Sequence, residues 1–534
     1  MKLKILGLLM LCFFATQAQK SKTEKPKLVV GIVVDQMRYD YLYKFYSKYT
    51  DGGLKRLMTE GYNCRNNQYH YASTVTGPGH AHIFNGSSPA ISGIVGNEWY
   101  DKTIGKTTYV VSDSTTKLVG EGSATAGKMS PRNMKVSSIT DQLRIANQFN
   151  SKVVGIAIKD RGAILPAGHT GQAYWYDAGS ANWISSDFYL KQLPNWVNSF
   201  NEKKIPQQLV SKPWETLISQ DKYIETEQDD QPYEATMSGE PKAVFPHKVT
   251  LSGIATSPYG NDLTLKFGLA AIEGERLGMG QETDFLTLSF SSPDYVGHSF
   301  GPQSKEIEDV YLKLDINIAE LLSHLDKKLG IGNYTVFLSA DHGVAEIPAF
   351  LKKHNVPSGV FLGGELEKKA EATLTAKFGE GKYLLSADNY QMYLNMELIN
   401  QKNISVDQIT QALKNEFVKT EGIYNVVNIS EGKANEVPQF FRDKLTNIYN
   451  PKRSGEVMVL VEPAWFAGYV KGTTHGTMYP YDTHVPLLFF GWGINKGEYL
   501  KETYISDIAP TIAMLLKILE PNGSIGSPII SALK

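Results

Sequence analysis

Short apolar runs rich in β-branched residues punctuate the chain at positions 28–34, 152–158, 285–290, 334–338 and 486–490. Runs of this length and make-up read as buried parallel strands, and stretches of helical spacing lie between them. Residues 505–516 have the look of a closing helix. The alternation predicts an α/β fold: a doubly wound, mostly parallel central sheet with helices on both faces. Two segments break the pattern. Residues 173–250 are rich in Trp, Tyr and Pro with weak periodicity, and residues 351–455 carry helix and strand signals of their own. Both are expected to be insertions capping the active edge of the sheet, which leaves 27–172, 251–350 and 456–534 as the core.

The residues at the strand ends change the picture. Asp35 directly follows the first run and Lys159 the second, while Asp294 and Asp341 lie just past the third and fourth. Open α/β sheets bind ligands at the carboxyl ends of their strands. Four charged residues at four such ends are therefore expected to converge on one crevice, although any one of them alone would be an ordinary loop residue.

The chain has 534 residues, 42% hydrophobic and 20% charged, with a formal net charge of −1. That length calls for one large elaborated domain or several. Without a basic excess there is no reason to expect nucleic acid as a partner. Lys2 and Lys4 precede an apolar run at 5–14 and the small-residue stretch ending at Ala18, the pattern of a secretory signal peptide over residues 1–18. Export to the periplasm or beyond is expected. No later apolar run reaches the length of a membrane span. After cleavage Cys64 is the single cysteine, so no intrachain disulfide can form, and a metal site would have to use His and carboxylates.

Such groups are present. Asp294 and His298 are four apart and can share one face of a helical turn. Asp341 and His342 are adjacent after a strand, so they can point toward two different ions. His475 lies in a Gly-containing stretch before the last strand. Taken singly, each His is more often a satisfied core or surface residue. Thr76, ahead of Gly77, Pro78 and Gly79, reads as a helix N-cap with Pro78 in the first turn. It also reads as a nucleophile facing a phosphate at a helix N-terminus. A threonine hydroxyl is a poor nucleophile at neutral pH; one divalent ion can deprotonate it while a second, about 4 Å away, stabilises the leaving oxygen.

Asp35, Thr76, Asp294 with His298, Asp341-His342 and His475-Gly476, in this order and context, resemble the alkaline phosphatase superfamily. The stretch from Thr76 through Gly86, Pro89 and Gly93 to Asn97 is similar to its phosphodiesterase-type branch, and the resemblance spans about residues 27–534. It implies two Zn²⁺ ions, one held by Asp294, His298 and His475, the other by Asp35, Asp341, His342 and the Thr76 oxygen. Sulfatases of this superfamily carry Cys or Ser two residues before a Pro and four before an Arg; Thr76 and His80 occupy those positions here. Its phosphoglycerate mutases use Ser and are cytosolic. Lys159 and Arg161, two residues apart past a strand, resemble the phosphate-binding cations of the phosphate-irrepressible, PafA-type alkaline phosphatases of flavobacteria.

That resemblance implies a phosphomonoesterase with Thr76 as nucleophile and Asn97, Lys159 and Arg161 on the phosphate. Small phosphomonoesters are the expected partners. No heptad stretch or basic arm proposes an interface, so a monomer is expected. Two alternatives stand beside this reading: a nucleotide pyrophosphatase/phosphodiesterase on the same metal site, and a non-catalytic anion-binding protein on a degenerate scaffold.

Overall fold

Residues Leu28–Val34 (β1) are seven consecutive buried positions, Gly31 among apolar side chains. A strand so apolar on both faces is stable only with neighbours on both edges and layers above and below. The computed structural model supplies them, and it describes residues 24–237, 239–430 and 436–534. The leader peptide expected over residues 1–18 lies outside the described residues.

In chain order the further strands are β2 (Tyr62–Gln68), the hairpin β3 (Glu98–Asp101) and β4 (Lys106–Tyr109), β5 (Leu118–Val119), β6 (Val153–Ala157), β7 (Gln172–Asp177), β8 (Asn182–Ser186), β9 (Asp284–Phe290) and β10 (Tyr334–Ser339). They are followed by β11 (Gly359–Leu362), β12 (Leu384–Asp388), β13 (Gln391–Leu394), β14 (Ile423–Asn428), β15 (Val457–Val461), β16 (Trp465–Gly468), β17 (Leu487–Gly491) and β18 (Gly497–Tyr504). Ten strands form the central sheet in the order β18-β2-β17-β10-β1-β9-β6-β7-β8-β5. Its middle, β10-β1-β9-β6-β7, is parallel throughout. The expected mostly parallel sheet is therefore present.

Three expectations need correction. The run at 486–490 is the antiparallel strand β17, paired with β10 from Leu487↔Ser339 to Gly491↔Thr335. The chain re-enters the sheet from above its carboxyl edge, so it can only run down. The aromatic-rich segment does not begin at residue 173: β7 and β8 belong to the central sheet, where Tyr174, Trp175, Tyr176 and Trp183 are buried. Dense aromatics there are sheet packing rather than loop chemistry. The cap also extends beyond residue 455. β12-β13-β15-β14 form a separate four-stranded sheet with its own apolar core, and β16 pairs with β11.

Register places the charged residues. Val34 of β1 pairs with Phe290 of β9, Val33 with Ser339 of β10, and Ala157 of β6 with Ser289 of β9. Asp35, Asp294, Asp341 and Lys159 each lie within four residues of one of these strand ends, so all four emerge on one edge. The helices α1 (Thr76–Asn85), α2 (Asp160–Ala167) and α3 (Ser292–Phe300) start at the same edge. The closing helix α4 (Ile508–Leu516) follows a 3₁₀ turn over Ile505–Asp507. Cys64 of β2 is buried and unpaired, and burial pushes its thiol up to about 12. No helix among the described residues is long and apolar enough to cross a membrane.

Candidate active site

Asp294 lies in the first turn of α3 and His298 in the next, so their side chains meet on one helix face, 3.2 Å between Oδ1 and Nε2. His475 joins them from far along the chain, its Nε2 3.6 Å from Asp294 Oδ1. On the other side of the crevice His342 Nε2 stands 3.5 Å from both Asp35 Oδ1 and Asp341 Oδ2. Each triad offers one ligand atom per residue within 4.8 Å of the others. All three imidazoles are oriented through Nδ1: His298 toward the Thr473 carbonyl at 2.8 Å, His475 toward that of Thr74 at 2.7 Å and His342 toward that of Gly343 at 3.0 Å. Nε2 is left facing the crevice, the arrangement that fixes tautomer and ring for a metal ligand.

The electrostatics bear the mark of crowded buried carboxylates. Burial, with Asp341 adding to it, raises Asp35 well above the usual carboxylate range. Burial alone would do the same to Asp294 and Asp341. The neighbouring His298 and Lys159 hold Asp294 low, and His342 and His80 do so for Asp341. Burial lowers His342 and His475, keeping both in the neutral form that binds metal.

Thr76 is the first residue of α1, with Val75 at the cap position and no side-chain cap hydrogen bond. The expected N-cap role is thus corrected: its hydroxyl does not cap the helix and instead accepts from Arg161 Nη2 at 3.3 Å. Asn97 Oδ1 accepts from the Gly77 N–H at 2.7 Å, which leaves its amide nitrogen to donate elsewhere. Arg161 comes from the first turn of α2 and is also held by the Tyr109 hydroxyl at 3.2 Å, itself donating to Asp160 Oδ1 at 2.5 Å. Lys159 is placed differently from Arg161. Its ammonium lies between the two triads, 2.7 Å from Asp35 Oδ2 and 2.5 Å from Asp294 Oδ2. The structure therefore brings Asp35, Thr76, Asn97, Lys159, Arg161, Asp294, His298, Asp341, His342 and His475 into one crevice.

Other residues of the crevice were not singled out by sequence. Gln36, at φ 66°, gives its backbone N–H to Asp341 Oδ1 at 3.1 Å and its side-chain amide to Asp294 Oδ1 at 2.7 Å, tying the triads together. His80 lies 3.2 Å from Asp341 Oδ2 through Nδ1, while its Nε2 meets Ser289 Oγ at 2.7 Å. α1 can approach this closely because residue 79 is glycine: a Cβ there would fall 2.2 Å from the Asp341 carbonyl. His80 had a signal, since it closes the Thr76–His80 motif. Tyr109 had none. Above the crevice a cavity of about 470 Å³ is walled by Val75, Asn97, His298 and His475 below and by residues of the cap sheet above.

The donor sets fit two divalent ions. One carboxylate with two imidazoles, and two carboxylates with one imidazole, are borderline-hard N/O sites of the type zinc occupies. Asp35 Oδ1 and His342 Nε2 are buried and face one another without any hydrogen-bond partner. Such orphaned groups are costly unless an ion satisfies them.

Comparison with known proteins shows the family. The chain is 45% identical over 538 residues to a protein of Myroides odoratus named calcium-transporting ATPase, covering 98% of each. It is 42% identical over 539 residues to the alkaline phosphatase PafA of Elizabethkingia meningoseptica, covering 99% of this chain and 98% of that one. The crystal structure of wild-type alkaline phosphatase PafA superposes with a TM-score of 0.93 at 43% identity, over 96% of this chain and 99% of that one. The family model described as type I phosphodiesterase / nucleotide pyrophosphatase matches residues 29–484. The chain belongs to the type I phosphodiesterase/nucleotide pyrophosphatase family, within the alkaline phosphatase superfamily.

Proposed function

We propose that this chain is a two-zinc phosphate monoester hydrolase that acts through a phosphothreonine on Thr76 and releases inorganic phosphate from a broad range of small monoesters. The observation that carries the reading is the convergence of two metal-type triads beside a threonine hydroxyl that already accepts from Arg161. The alkaline phosphatase relatives support it, and hydrolysis of ATP, implied by the Myroides relative's name, is likewise phosphoryl transfer to water.

Asp294, His298 and His475 would hold one ion, and Asp35, Asp341, His342 and Thr76 Oγ1 the other. The ions would supply Lewis acidity that makes the Thr76 hydroxyl an effective nucleophile near neutral pH and steadies the departing oxygen. Thr76 Oγ1 forms a bond to phosphorus in line with the ester oxygen, whose bond to phosphorus breaks. Arg161 offers a planar pair of N–H donors to the non-bridging oxygens, and the free amide of Asn97 donates to a third position. Lys159 balances the carboxylates of both triads and adds positive charge beside the phosphoryl group. Water then cleaves the phosphothreonine and restores the hydroxyl. A monoester carries one more negative charge than a diester, which is why a site with two cations past β6 favours monoesters. The leader-like N-terminus supports action outside the cytoplasm.

A phosphodiesterase is the second reading, favoured by the family model itself. Rates for a phosphate monoester and a diester with the same leaving group, measured on protein carrying two equivalents of zinc, separate the two. The monoester is expected to be the better substrate; a preference for the diester would sink the monoesterase reading.

A further inference from the structure

The cavity over the crevice has two chemically unlike ends. Asn97, His298 and His475 line the end next to the metal triads. The cap end is walled by Asp388, Tyr390 and Phe361, with Glu365 and Glu367 beside them, and among the described residues neither a lysine nor an arginine lines it. A phosphate held at the first end must direct its leaving group toward the second.

Asp388 is fixed by its turn. It ends β12, and the two-residue turn Asn389–Tyr390 leads into β13 with both residues left-handed, at φ 47° and 65°. This is the turn geometry that matches strand twist, although Tyr is an unusual residue in it. The Tyr390 hydroxyl accepts from Ala467 N at 3.2 Å and its carbonyl from Val459 N at 2.9 Å, which hold the turn in place. The turn rests on the residue before Asn97: a Cβ built on Gly96 would lie 2.9 Å from Asn389 Nδ2 and 3.5 Å from Asp388 Oδ2. Asp388 is thus a close neighbour of the Gly96–Asn97 bend that faces the crevice. Its side-chain partner is the neutral amide of Asn389 at 2.7 Å. Burial, with Glu98 adding to it, pushes Asp388 up to about 7, so this carboxylate gains from any cation brought beside it.

We propose that Asp388 is a specificity-determining residue that selects leaving groups carrying a positive charge close to the ester, so that phosphorylated amino alcohols are preferred substrates. The inference rests on the phosphomonoesterase reading and names its substrate class. A quaternary or primary ammonium two carbons from the ester oxygen faces Asp388 with Tyr390 and Phe361 available for its apolar surface. Glu365 and Glu367 add to the negative field at the rim.

Choline phosphate and its uncharged isostere 3,3-dimethylbutyl phosphate test it on the zinc-loaded full chain. The natural enzyme is expected to favour choline phosphate in kcat/KM by on the order of tenfold, the scale of one desolvated cation contact. Asp388→Asn is expected to bring that ratio close to one. Equal efficiency on both esters overturns the inference and leaves the monoesterase reading standing, whereas failure to hydrolyse either ester overturns both. A ratio that survives Asp388→Asn removes Asp388 from the role. Should the variant not fold, inhibition of the natural enzyme decides. Choline should inhibit 3,3-dimethylbutyl phosphate hydrolysis more strongly than 3,3-dimethylbutanol does, and equal inhibition by the two alcohols overturns the proposal.

Discussion

The imidazoles of His342 and His475 stack face to face, 3.5 Å between ring centroids and 13° between planes, although each belongs to a different triad. The two ligand sets thus share a wall. In the proposed mechanism that proximity would let ions held by the two sets act on one phosphoryl group.

Because the two triads share no ligand residue, single ligand losses should be separable. His475→Ala is expected to retain one tightly held zinc equivalent where the natural protein retains two, read by metal analysis after dialysis. Retention of both would remove His475 from the ligand set.

Thr76→Ala should lower kcat/KM for a monoester by at least about a thousandfold, since on the proposed mechanism it removes both the nucleophile and a ligand atom. Thr76→Ser keeps the hydroxyl and should remain far more active. Acid-quenched natural enzyme should carry phosphate on the peptide containing Thr76; label on another residue would reassign the nucleophile.

Arg161 touches the Thr76 hydroxyl and is itself held by Tyr109. Arg161→Ala is expected to reduce monoester turnover by about a hundredfold, the scale of a lost charge-assisted pair of hydrogen bonds, and diester turnover much less. Tyr109→Phe should act in the same direction but only several-fold, because it loosens the guanidinium without removing it. Matched losses on both substrates would argue against monoester selection by these residues.

His80 touches the Thr76 carbonyl at 3.0 Å, Asp341 at 3.2 Å and Ser289 at 2.7 Å, and no proposed substrate atom. Supporting groups of this kind typically contribute 10- to 100-fold in metal affinity. His80→Ala should weaken the zinc of the Asp35–Asp341–His342 set by about that factor in a chelator competition, while the other zinc is held as before.

Away from the site, Glu234 is buried beside Glu306, and burial with that neighbour raises it to about 9. An unfolded Glu titrates near 4.3. Since the folded value is the higher one, the stability it contributes is fully present below about pH 4.3 and is lost as pH rises toward 9. Glu234→Gln should therefore make little difference near pH 4 and stabilise the protein increasingly as pH rises toward about 8.5, seen as a Tm gain that grows with pH. A gain that is larger at acid pH would contradict the raised value.

Local chemistry made much of this legible in the sequence. A short, β-branched apolar run such as β1 reads as a buried strand, and an Asp four residues before a His can meet it on one turn of helix, as in α3. Asp35, Lys159, Asp294 and Asp341 were readable as strand-end residues because a strand's end is marked by its own residues. Long-range pairing decided what those signals leave open. The reversed direction of β17, the membership of β7 and β8 in the central sheet and the reach of the cap through β15 and β16 depend on which strands hydrogen-bond. So do the join of His475 to Asp294, the tie that Gln36 makes between triads, and the cap turn that sets Asp388 over the crevice. Two residues with no nearby sequence relation become partners only when register and docking bring their side chains within contact range, and no periodicity in the chain encodes that distance.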